Sequence, residues 1–403
     1  MSGNPRVLML SGKAEAERLM DQVGVHPEGI KIMAGKAQHR LVKLENLDVR
    51  AANIIKQEML SRGGEAAVSW TVYSLSKDTS SDAVIMGTDR QIREVCDKLQ
   101  LQPFGLAEIG TAIRQAVDAF ETGPSKIRIG DIEFDFGRRT YLMGILNVTP
   151  DSFSDGGRYL KTEEAVARGL EMAEEGADLI DVGGESTRPG SGPVSLDEEL
   201  KRVVPVVEKL AARTDRPISI DTTKSEVAKQ ALAAGAAVVN DVSAFRVDKE
   251  MSGVVAAARA PVVLMHMKGT PKDMQADPQY DDVMDEIAAF LAERIKFAEA
   301  GGVPRQRILL DPGLGFGKAV DHNLEIIRRL GELKSLGCPI VLGPSRKAFI
   351  GDASGAEVED RVHGTAAAVA AAVGKGASVV RVHDVREMAQ AAAVAAAIHK
   401  TDT

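Results

Sequence analysis

A repeating unit that decides the fold is plainest in DRPISIDTTKSEVAKQALAAGAAVVND, residues 215–241. The apolar runs PISID (217–221) and AVVND (237–241) lie on either side of a stretch of helical composition. Continuous apolar runs are typical of parallel strands that are buried on both faces. Thr223 and Glu226 have the spacing of a capping box, which predicts a helix start between the two strands.

The same unit extends in both directions from this stretch, over the chain from about residue 140 onward. Six more runs of the same kind occur, namely LMGIL (142–146), DLIDV (178–182), PVVLM (261–265), RILLD (307–311), PIVLG (339–343) and SVVRV (378–382). Eight strand–helix units in about 260 residues predict an α/β fold, the (βα)8 TIM barrel. A doubly wound sheet usually has fewer strands, and LMGILNVTPDSF lacks the glycine fingerprint often found after its first strand.

A hairpin is predicted just before the barrel, in KIRIGDIEFDFGRRTY. Its two short strands would turn at Gly130 and Asp131, and the alternation of Ile132, Phe134 and Phe136 indicates one buried face. We expect this hairpin to close the bottom of the barrel.

The N-terminal region, residues 1–124, is predicted to be a separate small α/β domain, with the barrel domain over 125–403. NLDVRAANIIKQEMLSRGGEAAVSW has the pattern of a helix, a Gly-Gly stop and a strand, and SDAVIMGTDRQIREVCDKL that of a strand and a helix. ETGPSK (121–126) is the predicted linker. The first domain either supports assembly or regulation or only packs against the barrel. Because every candidate site residue follows Tyr141, we expect the second domain to suffice for the chemistry.

Composition and charge exclude several classes of function. The net charge of −8 argues against non-specific nucleic-acid binding, which needs a basic surface. Cys96 and Cys338 lie far apart, so that no disulfide framework or zinc site is predicted. The first residues lack the apolar core of a signal peptide, and no run of 18 apolar residues occurs. We therefore expect a cytoplasmic protein without a membrane or nucleic-acid partner.

The active site of a TIM barrel lies at the carboxyl ends of its strands. Nearly every predicted strand in this chain ends in polar or ionisable residues. Contact with water explains one or two such ends, but not so many ionisable groups converging on one mouth. The residues at or near the strand ends are Asn147, Glu185, Thr187, Arg188, Asp221, Asn240, Asp241, Met265, His266, Asp311, Ser345, Arg346, Lys347, Arg381 and His383.

A first subset of these residues fits a phosphate or diphosphate held with a divalent ion. Arg381, His383 and Arg188 supply donors, and Asn147 supplies a neutral oxygen ligand. Phosphate sites are frequent after strands seven and eight, and the arginine fork matches phosphate oxygens. The alternative for Arg381 and His383 is a surface ion pair.

A second subset fits a flat heterocycle with several donors and acceptors, namely Asp221, Asn240, Asp311 and Lys347. A carboxylate accepts two hydrogen bonds from an amidine-like edge, and an amide pairs with a donor–acceptor edge. An ammonium group donates to a ring oxygen or nitrogen. Such buried groups discriminate strongly, because a wrong ring leaves them unpaired.

Two features are rejected as sites. DPGLGFGK (311–318) lacks the spacing of a Walker A loop. His266 lies among apolar residues, and a lone histidine of this kind is more often structural than catalytic.

These motifs together resemble those of a known enzyme family. MGILNVTPDSFSDGGRY (143–159) resembles the signature of dihydropteroate synthases. The resemblance continues, in order, through DVGGESTRPG, ISIDTTK, VVNDVSA, VLMHMKGTPKDMQ, LDPGLGFGK, GPSRKAFIG and RVHDV. It covers all eight strand ends, and an ordered set of this kind is far more specific than any single segment.

The resemblance implies a role for each matching position. It implies Asn147 as the Mg²⁺ ligand, and it implies a diphosphate site formed by Asn147, Thr187, Arg188, Arg381 and His383. The implied pterin contacts are Asp221, Asn240, Met265, Asp311 and Lys347. The implied contacts of 4-aminobenzoate are Pro189, Ser345 and Lys347. The implied catalytic residues are Asp221, Lys347 and Arg381.

The resemblance implies condensation of a dihydropterin methyl diphosphate with 4-aminobenzoate, with magnesium present and diphosphate released. It also implies a homodimer and sensitivity to sulfonamides. The Gly, Ser and Pro content of the loops after the first two strands predicts that they order over the substrates, so that 4-aminobenzoate would bind second. Two alternatives are a pterin-binding methyltransferase, which acts on methyltetrahydrofolate and a corrinoid protein, and a non-catalytic pterin-binding scaffold.

Overall fold

The computed structural model describes residues 4–10, 12–74, 80–124, 126–148, 158–185, 192–270 and 274–399. It divides into two compact units, one over residues 1–122 and the other over 123–400. The boundary predicted between residues 124 and 125 lies two residues from this division.

The first unit is a small α/β unit built on a three-stranded antiparallel sheet of order β1-β3-β2. Its elements are helices α1 (Lys13–Gln22) and α2 (Pro27–Met33), strand β1 (His39–Asp48), helix α3 (Val49–Leu60), strands β2 (Glu65–Val68) and β3 (Ser80–Thr88), and helices α4 (Asp89–Leu99) and α5 (Leu106–Thr122).

The local patterns of the first unit were predicted in part. The helix, Gly-Gly stop and strand correspond to α3, Gly63–Gly64 and β2, and the second strand–helix pair corresponds to β3 and α4. Gly63 has a φ of +72°, which a side chain would strain. A capping box starts α4, because Thr88 accepts from the amide of Gln91 and the Gln91 side chain accepts from that of Thr88. Strand β1 was not predicted.

The second unit is an eight-stranded parallel barrel surrounded by helices, as predicted. A hairpin, β4 (Ile127–Ile129) and β5 (Ile132–Phe134), precedes it. The strands are β6 (Tyr141–Asn147), β7 (Leu179–Gly183), β8 (Ile218–Asp221), β9 (Val238–Asp241), β10 (Val262–Met265), β11 (Ile308–Asp311), β12 (Val341–Leu342) and β13 (Val379–Val382). The helices are α6 (Arg158–Glu175), α7 (Leu196–Ala211), α8 (Ser225–Ala233), α9 (Met251–Ala258), α10 (Val283–Ala300), α11 (Val320–Arg329), α12 (Ala348–Ser354), α13 (Val362–Gly374) and α14 (Val385–His399).

The barrel closes between β11 and β12. This junction, the seam, is held by fewer paired residues than the other strand junctions of the barrel. The continuous ladders run in the order β11-β10-β9-β8-β7-β6-β13-β12. A single bridge between Leu310 and Ile340 joins the two ends, and the Leu310 amide donates to the Pro339 carbonyl at 2.9 Å. Strand β12 is only two residues long.

The hairpin closes the bottom of the barrel, as expected. Ile127, Ile129, Phe134 and Phe136 pack against residues at the beginnings of the barrel strands in one buried cluster. The Asp135 amide donates to the Tyr141 hydroxyl at 2.8 Å, which ties the hairpin to the first barrel strand. The ligand site is therefore expected at the opposite end, where the strands have their carboxyl ends.

The capping box predicted at Thr223 and Glu226 is wrong. Helix α8 starts at Ser225 and has Lys224 as its N-cap, without a side-chain cap of its own. The Asp248 carboxylate, from the loop after β9, accepts from the Ser225 amide at 2.8 Å instead. A cap from a distant residue leaves no local spacing signal in the sequence.

Two further observations bear on the excluded classes. Cys96 and Cys338 are both buried and unbridged. Within the part of the chain that the structure describes, no helix combines the length and apolar character needed to cross a membrane.

Candidate active site

Two adjoining cavities open at the carboxyl ends of the barrel strands. The larger has a volume of about 740 Å³ and the smaller about 20 Å³. They share Phe316, Gly343, Lys347 and Arg381 in their walls. The structure thus brings the strand-end residues together around two cavities that share part of their walls.

The smaller cavity contains four of the five predicted pterin residues, namely Asn240, Met265, Asp311 and Lys347. Asp311 is 6% exposed, and its Oδ1 accepts from the Gly313 amide at 2.7 Å. This bond leaves Oδ2 as the oxygen that the turn does not use. Burial raises the pKa of Asp311, against the lowering effect of the Gly313 amide and of Lys347. A donor edge of a ligand would favour the ionised form.

The fifth predicted pterin residue, Asp221, belongs to a buried ion network centred on Arg381. Arg381 Nε donates to Asp181 Oδ2 at 2.6 Å, and its Nη2 donates to Asp221 Oδ2 at 2.6 Å. Asn240 Nδ2 also donates to Asp181 Oδ2, at 3.0 Å. The network lies inside the barrel mouth, so a surface ion pair does not describe Arg381. Its guanidinium neutralises carboxylates in the ligand-free protein.

Two carboxylates share one arginine in this network. Burial raises the pKa of Asp221 to about 7, against the lowering effect of Arg381, and the Asp181 carboxylate raises it further. One arginine cannot fully compensate two buried acids. The network is therefore suited to a ligand that carries or develops positive charge.

The larger cavity contains the predicted diphosphate residues that the structure describes, namely Asn147, Arg381 and His383. Ser345 also lines it, and its Oγ accepts from the His383 amide at 3.1 Å and lies 2.9 Å from His383 Nδ1. Burial and the positive charges of Arg381 and Arg346 lower the pKa of His383 to about 4. At neutral pH this imidazole is neutral, and in that form one ring nitrogen carries an N–H that can donate to an anion.

A strained turn presents Lys347 to both cavities. Arg346 has a φ of +56°, a left-handed conformation that costs energy in a residue with a side chain. The Thr365 hydroxyl accepts from the Arg346 amide at 3.1 Å, and the Asp384 carboxylate accepts from its guanidinium at 3.0 Å. These bonds hold the turn so that Lys347 Nζ lies 4.4 Å from the centre of the Phe316 ring.

Three residues of the site were not predicted. Asp181 lies in the middle of strand β7, where its position gave no reason to separate it from the structural core. Phe316 and Lys318 lie in the turn 313–318, for which the sequence only excluded the spacing of a phosphate loop. The alternation of inward-facing residues along DLIDV was the one signal that could have found Asp181.

Some of the predicted site residues lie outside the described residues, and His266, which was predicted to be structural, lies within them. Thr187, Arg188 and Pro189 lie in 186–191, and the loop after β6 lies in 149–157, so both segments fall in the gaps of the structure. His266 is buried and lies against Lys318, with Nδ1 and Nζ 3.0 Å apart.

The sequence profile of pterin binding enzymes matches residues 143–383, which is more than half of the chain. The dihydropteroate synthase of a Synechocystis species is 47% identical over 276 residues, which cover 68% of this chain and 96% of that protein. A probable bifunctional folylpolyglutamate synthase/dihydropteroate synthase of Halobacterium salinarum is 45% identical over 383 residues, or 95% of this chain. The chain spans 46% of that relative, about half its length.

Solved structures agree with the sequence relatives. The dihydropteroate synthase of Xanthomonas albilineans with 4-aminobenzoic acid superposes with a TM-score of 0.65 and 47% identity, over 69% of this chain and all of that chain. The same enzyme in complex with 7,8-dihydropteroate gives a TM-score of 0.62 and 45% identity, over 68% of this chain and 99% of that chain. These relatives give no support to the methyltransferase alternative. The chain belongs to the family of pterin-binding enzymes and, within it, to the dihydropteroate synthases, which are transferases that form a carbon–nitrogen bond.

Proposed function

We propose that this chain condenses (7,8-dihydropterin-6-yl)methyl diphosphate with 4-aminobenzoate to give 7,8-dihydropteroate and diphosphate. The observation that carries the proposal is the cavity of about 740 Å³ at the barrel mouth, which adjoins a polar recess of about 20 Å³ through the shared wall of Phe316, Lys347 and Arg381. The larger cavity has room for a bicyclic head group and a second aromatic substrate, and the recess, which holds about one water molecule, would take only the polar edge of the pterin. Solved structures of the related Xanthomonas albilineans enzyme support this proposal, since one contains 4-aminobenzoic acid and the other 7,8-dihydropteroate.

The small pocket supplies the complement of a pterin edge. Asp311 Oδ2 would accept from the amino group and ring N–H, and the Lys347 ammonium would donate to a ring oxygen or nitrogen. Asn240 gives its amide N–H to Asp181, which leaves its carbonyl oxygen as the acceptor for the ligand. Met265 provides an apolar wall. A ring with a different arrangement of hydrogen-bond donors and acceptors would leave these groups unpaired, at a large cost in affinity.

The diphosphate would lie in the larger cavity, beside Asn147 and His383. Asn147 has the hard amide oxygen that magnesium accepts, and magnesium usually takes its other ligands from water and substrate phosphates. Bound there, the ion would supply charge neutralisation to the leaving group. His383 would donate a hydrogen bond to a diphosphate oxygen, with Thr187 and Arg188 as further predicted donors.

In the reaction, the bond between the pterin methylene carbon and the diphosphate oxygen breaks, and its electron pair leaves with the diphosphate. The amine nitrogen of 4-aminobenzoate then bonds to that carbon and loses a proton. The positive charge that develops on the pterin would lie near Asp221 and Asp181, and it would favour the ionised form of Asp221, which its raised pKa of about 7 leaves partly protonated at neutral pH. Arg381 holds both acids in place, so that no reorientation is needed during the reaction.

The 4-aminobenzoate would lie against Phe316 and Lys347, with Ser345 and the predicted Pro189 nearby. Aminobenzoate mimics of the sulfonamide class are then expected to compete, as a solved complex of the Yersinia pestis relative with a sulfonamide drug illustrates for that protein. Ordered binding predicts that 4-aminobenzoate binds more tightly once magnesium and diphosphate are present. Calorimetric titration with and without magnesium diphosphate tests this, and equal affinities would contradict it.

A homodimer is part of the proposal. Val394 and Ile398 are 61% and 72% exposed and lie four residues apart on α14, where they form an apolar stripe that a second copy could cover. Light scattering of the pure chain distinguishes dimer from monomer. The cytoplasmic location and the lack of a nucleic-acid partner stay predictions from the sequence.

The decisive experiment mixes the pure chain with the pterin diphosphate, 4-aminobenzoate and magnesium. Chromatography should show dihydropteroate and diphosphate formed in equal amounts, and leaving out 4-aminobenzoate should stop dihydropteroate formation. Asp221→Asn should lower the rate while the protein stays folded. Methyl transfer from methyltetrahydrofolate without diphosphate release would favour the methyltransferase, and binding without turnover would favour the scaffold.

A further inference from the structure

Lys318 is a buried cation that the proposed reaction has not used. It ends the turn 313–318 after strand β11, is only 2% exposed, and lines the larger cavity but not the smaller one. A lysine at such depth is costly unless its donors are satisfied.

The Lys318 ammonium links the turn to a neighbouring segment of the barrel mouth. Nζ donates to the Phe316 carbonyl at 3.0 Å and to the His266 carbonyl at 3.4 Å, and it lies 3.0 Å from His266 Nδ1. Burial and the nearby cations lower the pKa of His266 to about 2, so its neutral ring is available as an acceptor. Lys318 thus joins the segment after β10 to the turn after β11.

The turn is pressed tightly onto that segment. A Cβ added to Gly313 would lie 2.0 Å from the His266 carbonyl oxygen, and one added to Gly317 would lie 2.1 Å from that of Lys268. Both glycines have positive φ angles, of 70° and 67°. A contact this close leaves the turn little freedom as long as Lys318 holds it.

The turn carries Phe316 into the wall between the two cavities. Phe316 packs with Met265, Met267 and Met274 in a small cluster, and its ring faces the Lys347 ammonium at 4.4 Å. A displacement of the Phe316 backbone would therefore change the position of the ring relative to Lys347.

We propose that Lys318 is a positioning residue that fixes Phe316, and through it the Lys347 side of the 4-aminobenzoate pocket. The inference rests on the proposed function, since it concerns how the second substrate is held. The pterin groups Asn240 and Asp311 lie on strands β9 and β11. Because Asp311 accepts from the Gly313 amide of this turn and Lys347 lines both cavities, pterin binding would also change, but less than 4-aminobenzoate binding.

The electrostatics agree with this geometry. Burial lowers the pKa of Lys318 to about 7, the Asp311 carboxylate raises it, and Lys347 and Lys268 lower it. His266 and Arg246 belong to the same surroundings. A lysine placed at this depth, where burial opposes its charge, indicates that its bonds to the turn and to His266 matter.

The test measures steady-state kinetics with 4-aminobenzoate varied at saturating pterin diphosphate. Lys318→Met keeps the length of the side chain but removes its donors, and we expect KM for 4-aminobenzoate to rise roughly tenfold or more, as for charged hydrogen bonds lost from a buried site. Calorimetric affinity for a pterin without phosphates should fall by a clearly smaller factor than the rise in KM. Lys318→Arg should recover part of the loss. Lys209→Met, the same change on the outer helix α7, should leave KM unchanged.

A double-mutant cycle with Phe316→Leu decides whether Lys318 acts through Phe316. The expected result is coupling, with the double variant losing less than the two single losses combined. Additive losses, or equal weakening of both ligands, would overturn the proposal. If Lys318→Met does not fold, His266→Phe replaces it in the cycle, because it removes the Nδ1 contact and keeps the lysine. An inactive wild type would instead refute the proposed function, so the two failures are distinguishable.

Discussion

Asp311→Asn is the sharpest test of the pterin pocket, because the structure fixes what the substitution does. Asp311 Oδ1 accepts from the Gly313 amide at 2.7 Å, and only an oxygen can keep this bond. The variant amide must therefore turn its Nδ2 to the place of Oδ2, toward the ligand. The turn is preserved, and one acceptor in the pocket becomes a donor.

The magnitude follows from the burial of the site. Replacing a charged hydrogen bond by a donor–donor contact in a buried pocket costs about 1.5–3 kcal/mol, or roughly ten- to hundredfold in affinity. We expect calorimetry with a pterin lacking phosphates to show this loss, while the thermal midpoint changes little.

The matched control is Asp248→Asn, the same chemical change at a carboxylate that caps helix α8 away from both cavities. It should lower the thermal midpoint and leave pterin affinity intact. Unchanged pterin affinity in Asp311→Asn would remove Asp311 from the site and refute the proposed orientation of the pterin.

Three further outcomes are expected. Arg381→Met should lower the thermal midpoint, because it leaves Asp181 and Asp221 buried without a counter-charge, and adding Asp221→Asn should restore part of the loss; no restoration would contradict the network. His383→Asn should weaken calorimetric binding of the pterin diphosphate far more than that of a pterin without phosphates, whereas equal losses would indicate a general effect. The folded pKa of Lys318 is about 7 and its unperturbed value is 10.5, so the unfolded chain binds more protons between these limits. Between pH 7 and 10.5, the free energy of unfolding of the wild type should therefore rise relative to that of Lys318→Met, by at most about 1.4 kcal/mol per pH unit. Urea denaturation at pH 7 and pH 9 that gives the same change in this free energy for both proteins would contradict the expectation.

The barrel was predictable because each strand is an apolar run with a polar end. The periodicity of such runs does not depend on distant residues, so all eight strands and the closing hairpin could be located within one or two residues. Strand β1 was missed because HRLVKLENLD does not alternate strictly between polar and apolar residues, and its apolar Leu41 is 67% exposed.

The site was predictable where a residue ends a strand or closely follows one. Asn147, Asp221, Asn240 and Asp311 lie at such ends, and the structure places all four around the cavities. Asp181 and Lys318 were not predicted as site residues, because their roles depend on partners that are distant in the sequence. Arg381 lies 200 residues from Asp181 and His266 lies 52 from Lys318, and no local pattern records such pairings.

The thin seam between β11 and β12 has a consequence for dynamics. Hydrogen exchange should be fastest, among the barrel strands, for the amides of the Leu310–Ile340 region, since a single bridge must open there instead of a whole ladder. Asp311 and Lys347 lie on opposite sides of this seam, so a pterin that bonds to both would act as a clasp across it. A ligand that binds only the closed barrel adds its binding free energy to the stability of the fold. Exchange protection at the seam would then report pterin occupancy in an enzyme whose outer helices scarcely change.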